Sequence, residues 1–186
     1  MKLCIGLVGL LTVAALPIAS VAGGSERVPR FVSYRLGGVD IWSTDKTKQD
    51  VYMLDKGSKY CLHISHAPEN EIGMLLCPES ELEQSGDLDL KRDASEIRYA
   101  HITPMETESG VKIGDTPQEV LRLLGTPTEY DAAYDGSPLK TGNGSLHYND
   151  MGGHLHGWSY ESWYEFNHGH LTSISITIQK GKEVAG

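Results

Sequence analysis

The stretch VKIGDTPQEVLRLLGTPTEY, residues 111–130, holds a helix start, two apolar turns and a helix stop in close succession. Thr116 is placed as N-cap, Pro117 at the first helical position and Glu119 three residues after the cap. That is a capping box, with proline where a helix tolerates it best. Val120, Leu121, Leu123 and Leu124 form an apolar stripe, Gly125 suits a left-handed C-terminal position, and Pro127 blocks continuation. A helix of about eight residues does not hold alone in water, so this one needs a surface to pack on. Its glycines end a helix and do not cradle a phosphate, because no Lys-Ser/Thr pair opens it.

That surface is predicted downstream. SLHYN (145–149) reads as a short strand and WSYESWYEF (158–166) as a longer one. NHG (167–169) is a tight turn with Gly169 at positive φ, and HLTSISITI (170–178) is the return strand. Alternation puts Trp158, Tyr160, Tyr164 and Phe166 on one face and aligns Ile174, Ile176 and Ile178 on the next strand. Trp163 falls in the opposite phase, on the far side of the sheet, where it is a candidate interaction anchor.

Upstream, FVSYRL, VDIW, DVYML, YCLHIS, IGMLLC and EIRYAHI are short Val-, Ile-, Tyr- and Leu-rich runs divided by Gly, Pro, Asn and Asp clusters. They predict an antiparallel meander with acidic, solvated loops. The expected fold class is therefore α+β: an N-terminal antiparallel β-rich region, then a short helix packed on a three-stranded antiparallel sheet. Residues 1–22 combine Lys2, an apolar core and Ser20-Val21-Ala22, the features of a secretory signal peptide. The remaining divisions are a β-rich region at 23–104, the helix and three-stranded sheet at 105–180, and a tail at 181–186. Residues 102–110 read as linker.

Export sets the redox expectation. Cys4 lies in the leader, leaving Cys61 and Cys77, and an even pair in an exported chain predicts one disulfide. Closing a loop of about 15 residues, it would contribute ~3 kcal/mol. No cysteine follows the small residues at the cleavage point, so no bacterial lipoprotein signal is present. The formal charge of −9 becomes about −10 without Lys2, and an acidic chain without basic clusters does not attract nucleic acid. No transmembrane segment is expected after cleavage.

The pattern G-V-x-I-G-D-T-P-Q-E-V-L-x-L-L-G-T-P, followed by an aromatic strand and F-N-H-G-H-L-T-S-I-S-I, resembles the SmpA/OmlA (BamE-type) family of exported domains and its β-lactamase-inhibitor-like relatives. Gly114, Thr116, Val120, Leu124, Gly125, Pro127, Tyr164, Phe166, Gly169 and Leu171 carry the resemblance, over roughly residues 110–178. It implies a BamE-like helix-on-sheet domain and non-catalytic work: binding another envelope protein or stabilising an assembly.

Histidines are the one excess that could carry chemistry. His168 and His170 belong to the hairpin turn, whereas His154 and His156 enter from its other end, about 30 Å away along extended chain. The set that can converge is His147, His154 and His156 with Asp150 nearby, a candidate zinc or copper shell. No G-x-S-x-G, P-loop or H-E-x-x-H motif occurs, so no catalytic residue is assigned. Tyr148, Trp158, Tyr160, Trp163 and Tyr164 are either a carbohydrate-stacking patch or cross-strand packing. The expected function is binding to another envelope or secreted protein, in the periplasm or outside the cell. Metal binding through the histidines is the alternative, and inhibition of a secreted enzyme the third.

Overall fold

The computed structural model describes residues 28–44, 49–67, 71–102, 105–130, 138–150 and 157–181. The expected leader (residues 1–22), His154, His156 and residues 182–186 lie outside these. A two-stranded ribbon comes first, β1 (Arg35–Leu36) with β2 (Val39–Asp40). Gly37 and Gly38 make its turn at φ +58° and +78°, which favours glycine at both places. A Cβ on Gly37 would also stand 2.8 Å from Ile102 Cγ2, so the turn sits hard against the core.

Three antiparallel strands come next, as expected: β3 (Asp50–Asp55), β4 (Tyr60–Ala67) and β5 (Glu71–Pro78). Helix α1 (Glu79–Ser85) then forms where a solvated acidic loop was expected. It lacks a side-chain cap, but Glu79 and Glu81 in its first turn suit the helix dipole and Gly86 closes it at φ +81°. Strand β6 (Ile97–Tyr99) runs parallel to β3, a departure from the antiparallel meander. Helix α2 (Pro117–Leu124) has the boundaries and both hydrogen bonds of the expected capping box. After it come β7 (Glu129–Tyr130), α3 (Pro138–Thr141), β8 (Gly144–Asp150), β9 (Trp158–Asn167) and β10 (His170–Lys180).

The expected fold class is corrected at this point. The helix does not lie on a separate three-stranded sheet, because a single mixed sheet of eight strands runs in the order β6-β3-β4-β5-β10-β9-β8-β7. With three short helices among the described residues, the protein is mostly β. The seam is β5 against β10, where Ile174 faces Leu76, Ile176 faces Met74 and Ile178 faces Ile72. All six are at most 4% exposed. Leaving these strands apart would expose a row of unpaired amides beside an apolar stripe; pairing satisfies both at once.

The inner face of the sheet carries the main core. Leu62, Ile64, Met74, Ile176, Tyr160, Tyr164 and Leu146 meet Val120 and Leu124 of α2 there. The helix is pinned at both ends: Gly114 and Leu171 join the segment before it to β10, and Tyr148 Oη donates to Gly125 O at 3.0 Å. The N-terminal segment lies over β9, with Tyr160 Oη donating to Phe31 O and accepting from Ser33 N–H. The described part of the expected linker, Ile102 and residues 105–110, is packed into the fold. Ile102 and Thr107 are buried, and Thr107 bridges to Leu36. Asp55 accepts the Gly57 and Ile102 N–H groups at 2.9 and 3.1 Å, which hold its carboxyl below the usual range.

Candidate functional site

The outer face of the sheet divides in two. Over β3–β5 it is packed: Tyr52, Leu54, Cys61 and Cys77 form a second hydrophobic cluster with Leu82 of α1 and Leu88 beyond it. Over β8–β10 neither hydrophobic cluster includes an outer-face side chain. One cross-strand row links the regions through successive registers: Tyr52, His63, Leu75, Ser175, Trp163, His147 and Glu129. Each end of this row holds an aromatic–imidazole stack.

The stack at the C-terminal end is the candidate site. Trp163 lies on the outer face, half-buried, with its ring 3.9 Å from that of His147 and nearly parallel to it, at 10°. Its Nε1–H donates to Glu161 Oε1 at 3.0 Å. The same oxygen stands 2.8 Å from His147 Nε2, while His147 Nδ1 lies 3.6 Å from Glu129 Oε2. The His147 side chain is only 7% exposed, yet neither ring nitrogen meets a partner in hydrogen-bonding direction. These are close contacts without hydrogen-bond alignment. Such an arrangement can offer an aromatic face and carboxylate oxygens to a donor arriving from outside.

Of the residues expected at the metal site, His147 and Asp150 lie among the described residues. His147 faces outward on β8, whereas Asp150 is buried on the inner face opposite Tyr160, so strand alternation separates them. His147 presents opposite ring nitrogens to Glu129 and Glu161, so those three donors do not converge. Among the described residues no group of three His, Cys, Asp or Glu is arranged to hold a metal ion. His154 and His156 are outside the described residues.

Cys61 and Cys77 occupy directly facing register positions, fully buried, and are present here as free thiols. Burial pushes the Cys61 thiol up to about 12 and that of Cys77 higher still, so neither is a reactive nucleophile. Facing positions on antiparallel strands fall within the Cα separation a disulfide spans, so oxidation needs no change of register. Of the aromatic set, Tyr148, Tyr160 and Tyr164 are fully buried inner-face core and Trp158 packs edge-on against Trp42. They take the cross-strand packing role.

A concave feature elsewhere was not foreseen. A cleft of about 780 Å³ opens at the N-terminal end of the row, lined by Asp50, Tyr52, His63, Asp87, Arg92 and Glu96 among others. His63 Nε2 contacts Asp50 Oδ1 at 2.9 Å, and the His63 ring stacks on Tyr52 at 4.4 Å. Arg92 grips Asp93 through Nε and Nη2 at 2.6 and 2.7 Å and also donates to Asp87 O. That grip holds the Asp93 carboxyl below its usual range. Burial, then the Asp50 charge, pushes the Tyr52 hydroxyl up to about 12. The cleft's polar groups largely satisfy one another. Its sequence signal, the charged run LDLKRDAS at 88–95, lies between the separator PESELEQSGD and the expected strand EIRYAHI and names no site by itself.

No described helix is long and apolar enough to cross a membrane. Compared with protein-family models, with curated proteins and with solved structures, the chain finds no match.

Proposed function

We propose that this protein is exported and works without catalysis, by binding another envelope or secreted protein through the outer face of β8, β9 and β10. The observation that carries this reading is the Trp163–His147 stack. A half-exposed tryptophan is held rigidly by Glu161 on a face that contributes nothing to either hydrophobic cluster. Rigid aromatics of this kind serve as anchors at protein interfaces, where they add area at little entropic cost. Ser175 and Thr177 on the adjoining strand are partly exposed and too small to cover the indole, which leaves room for a partner.

Photo-cross-linking tests the reading. A photoreactive side chain at Thr177 is expected to trap a defined protein in an extract of the native host, and one at Arg122, exposed on α2, is not. Trp163→Ala is expected to weaken that capture by about tenfold, the scale of one interface anchor. Equal adducts from both positions, or none from Thr177, would sink the proposal.

A further inference from the structure

We infer that the partner docks on this face through a basic segment, a stretch carrying lysine or arginine side chains; this rests on the binding reading above. Glu129, Glu161 and Glu165 bring three carboxylates to the outer face of β7–β9, and no lysine or arginine of β7–β10 among the described residues shares it. Trp163 stands among them with one ring side covered by His147 and the other bordered by Ser175. A cation placed against that open indole side meets the ring's negative face and carboxylate oxygens together.

The imidazole of His147 lies inside this acidic cluster. Its side chain is more than nine-tenths buried, aimed between Glu129 and Glu161, and makes no hydrogen bond through either ring nitrogen. Glu161 Oε1 is turned toward the Trp163 indole N–H, which leaves the imidazole beside it unaligned. Glu161 and Glu129 keep lone pairs for an incoming donor, and a guanidinium or ammonium supplies several.

The neighbouring register row gives the segment its length. It runs Glu161, Thr177, Gly73, Ser65, Asp50, a carboxylate at each end with small residues between. Four strand spacings separate the ends, roughly 19 Å. Asp50 lies in the wall of the acidic cleft beside His63. An extended segment with basic residues about six positions apart spans that distance at the usual rise per residue. Such a segment places one cation at Trp163 and a second at the mouth of the cleft.

The experiment uses the full chain and labelled oligolysine and oligoglutamate peptides of equal length, read by fluorescence anisotropy at low and high salt. Oligolysine is expected to bind, with affinity falling as salt rises, and oligoglutamate is not. Glu161→Gln with Glu165→Gln is expected to weaken oligolysine binding by about tenfold, as is Trp163→Ala, each with an unchanged circular dichroism spectrum. Glu83→Gln, which removes a carboxylate from the exposed side of α1, serves as the control and is expected to change affinity less than about twofold. Failure of oligolysine to bind, equal binding of oligoglutamate, or equal loss in the Glu83 variant overturns the proposal. Persistence of the Thr177 cross-link alongside any of these shows that the binding face stands and the basic partner does not. Loss of the cross-link as well removes both.

Discussion

The two ends of the outer face begin from the same motif and finish differently. At one end Tyr52 stacks on His63, which contacts Asp50; at the other Trp163 stacks on His147, which lies against Glu161. Over the first, Leu82 and Leu88 close down and make a hydrophobic cluster. Over the second, no cluster forms among the described residues, and the aromatic is hydrogen-bonded to a carboxylate. Strand chemistry is thus similar in both places. What differs is the cover: α1 folds back over β5 and brings Leu82 onto the outward side chains of β3–β5.

The comparison breaks most easily at Leu82. Leu82→Ala removes the side chain by which α1 closes the packed end, and it is expected to cost about 2–5 kcal/mol in urea unfolding. Equal losses from Leu82→Ala and Trp163→Ala would show that the two ends are both core. Next in size is the thiol pair under α1. Protein recovered after export is expected to carry the Cys61–Cys77 bond, contributing ~3 kcal/mol, as read from non-reduced mass and the shift in unfolding midpoint on reduction. In reduced protein both thiols are expected to resist alkylation at neutral pH until urea is added, since burial keeps them protonated. Rapid native-state alkylation would show that the packed end is open.

Acid should loosen the β6–β3 edge of the sheet first. Asp55 has its carboxyl lowered, first by the Gly57 amide, so its contribution is fully present above the unfolded-state value and is lost as pH falls through the lower folded-state one. Amide exchange in β3 and β6 is therefore expected to rise in acid before that in β9, and Asp55→Asn should remove the difference. Trp163→Ala comes next, at about 0.5–1.5 kcal/mol for a lost ring pair. Glu165→Gln is the smallest, within about 0.5 kcal/mol. A large loss there would mean that Glu165 supports the fold and is unsuited as a binding probe.

Some of this was legible in the chain, and the pattern of success is physical. The α2 boundaries come from Thr116, Pro117, Glu119 and Pro127, because capping acts within one turn. The β9–β10 hairpin comes from Asn167-His168-Gly169, whose last two residues take φ +51° and +83°. Alternation alone placed Trp163 on the face opposite Tyr164. The pairing of β5 with β10 was not legible, because the apolar period of Ile72, Met74 and Leu76 fixes which face is buried without naming the neighbouring strand. The α1 helix was missed because it buries only Leu82 and has no side-chain cap. The His147–Trp163 stack was missed for the same reason as the seam: it is a product of register between β8 and β9.

The sequence by itself therefore determined the local structures whose causes lie within a few residues: the capped helix, the tight hairpin turn and the inward or outward phase of most strand side chains. Only the tertiary structure decided which strands adjoin, that eight of them form one mixed sheet, and which outward face receives a cover. The physical reason is that caps and turns are satisfied by neighbours along the chain. Strand pairing and burial are satisfied by partners up to about a hundred residues away, and many partners share the same alternating pattern.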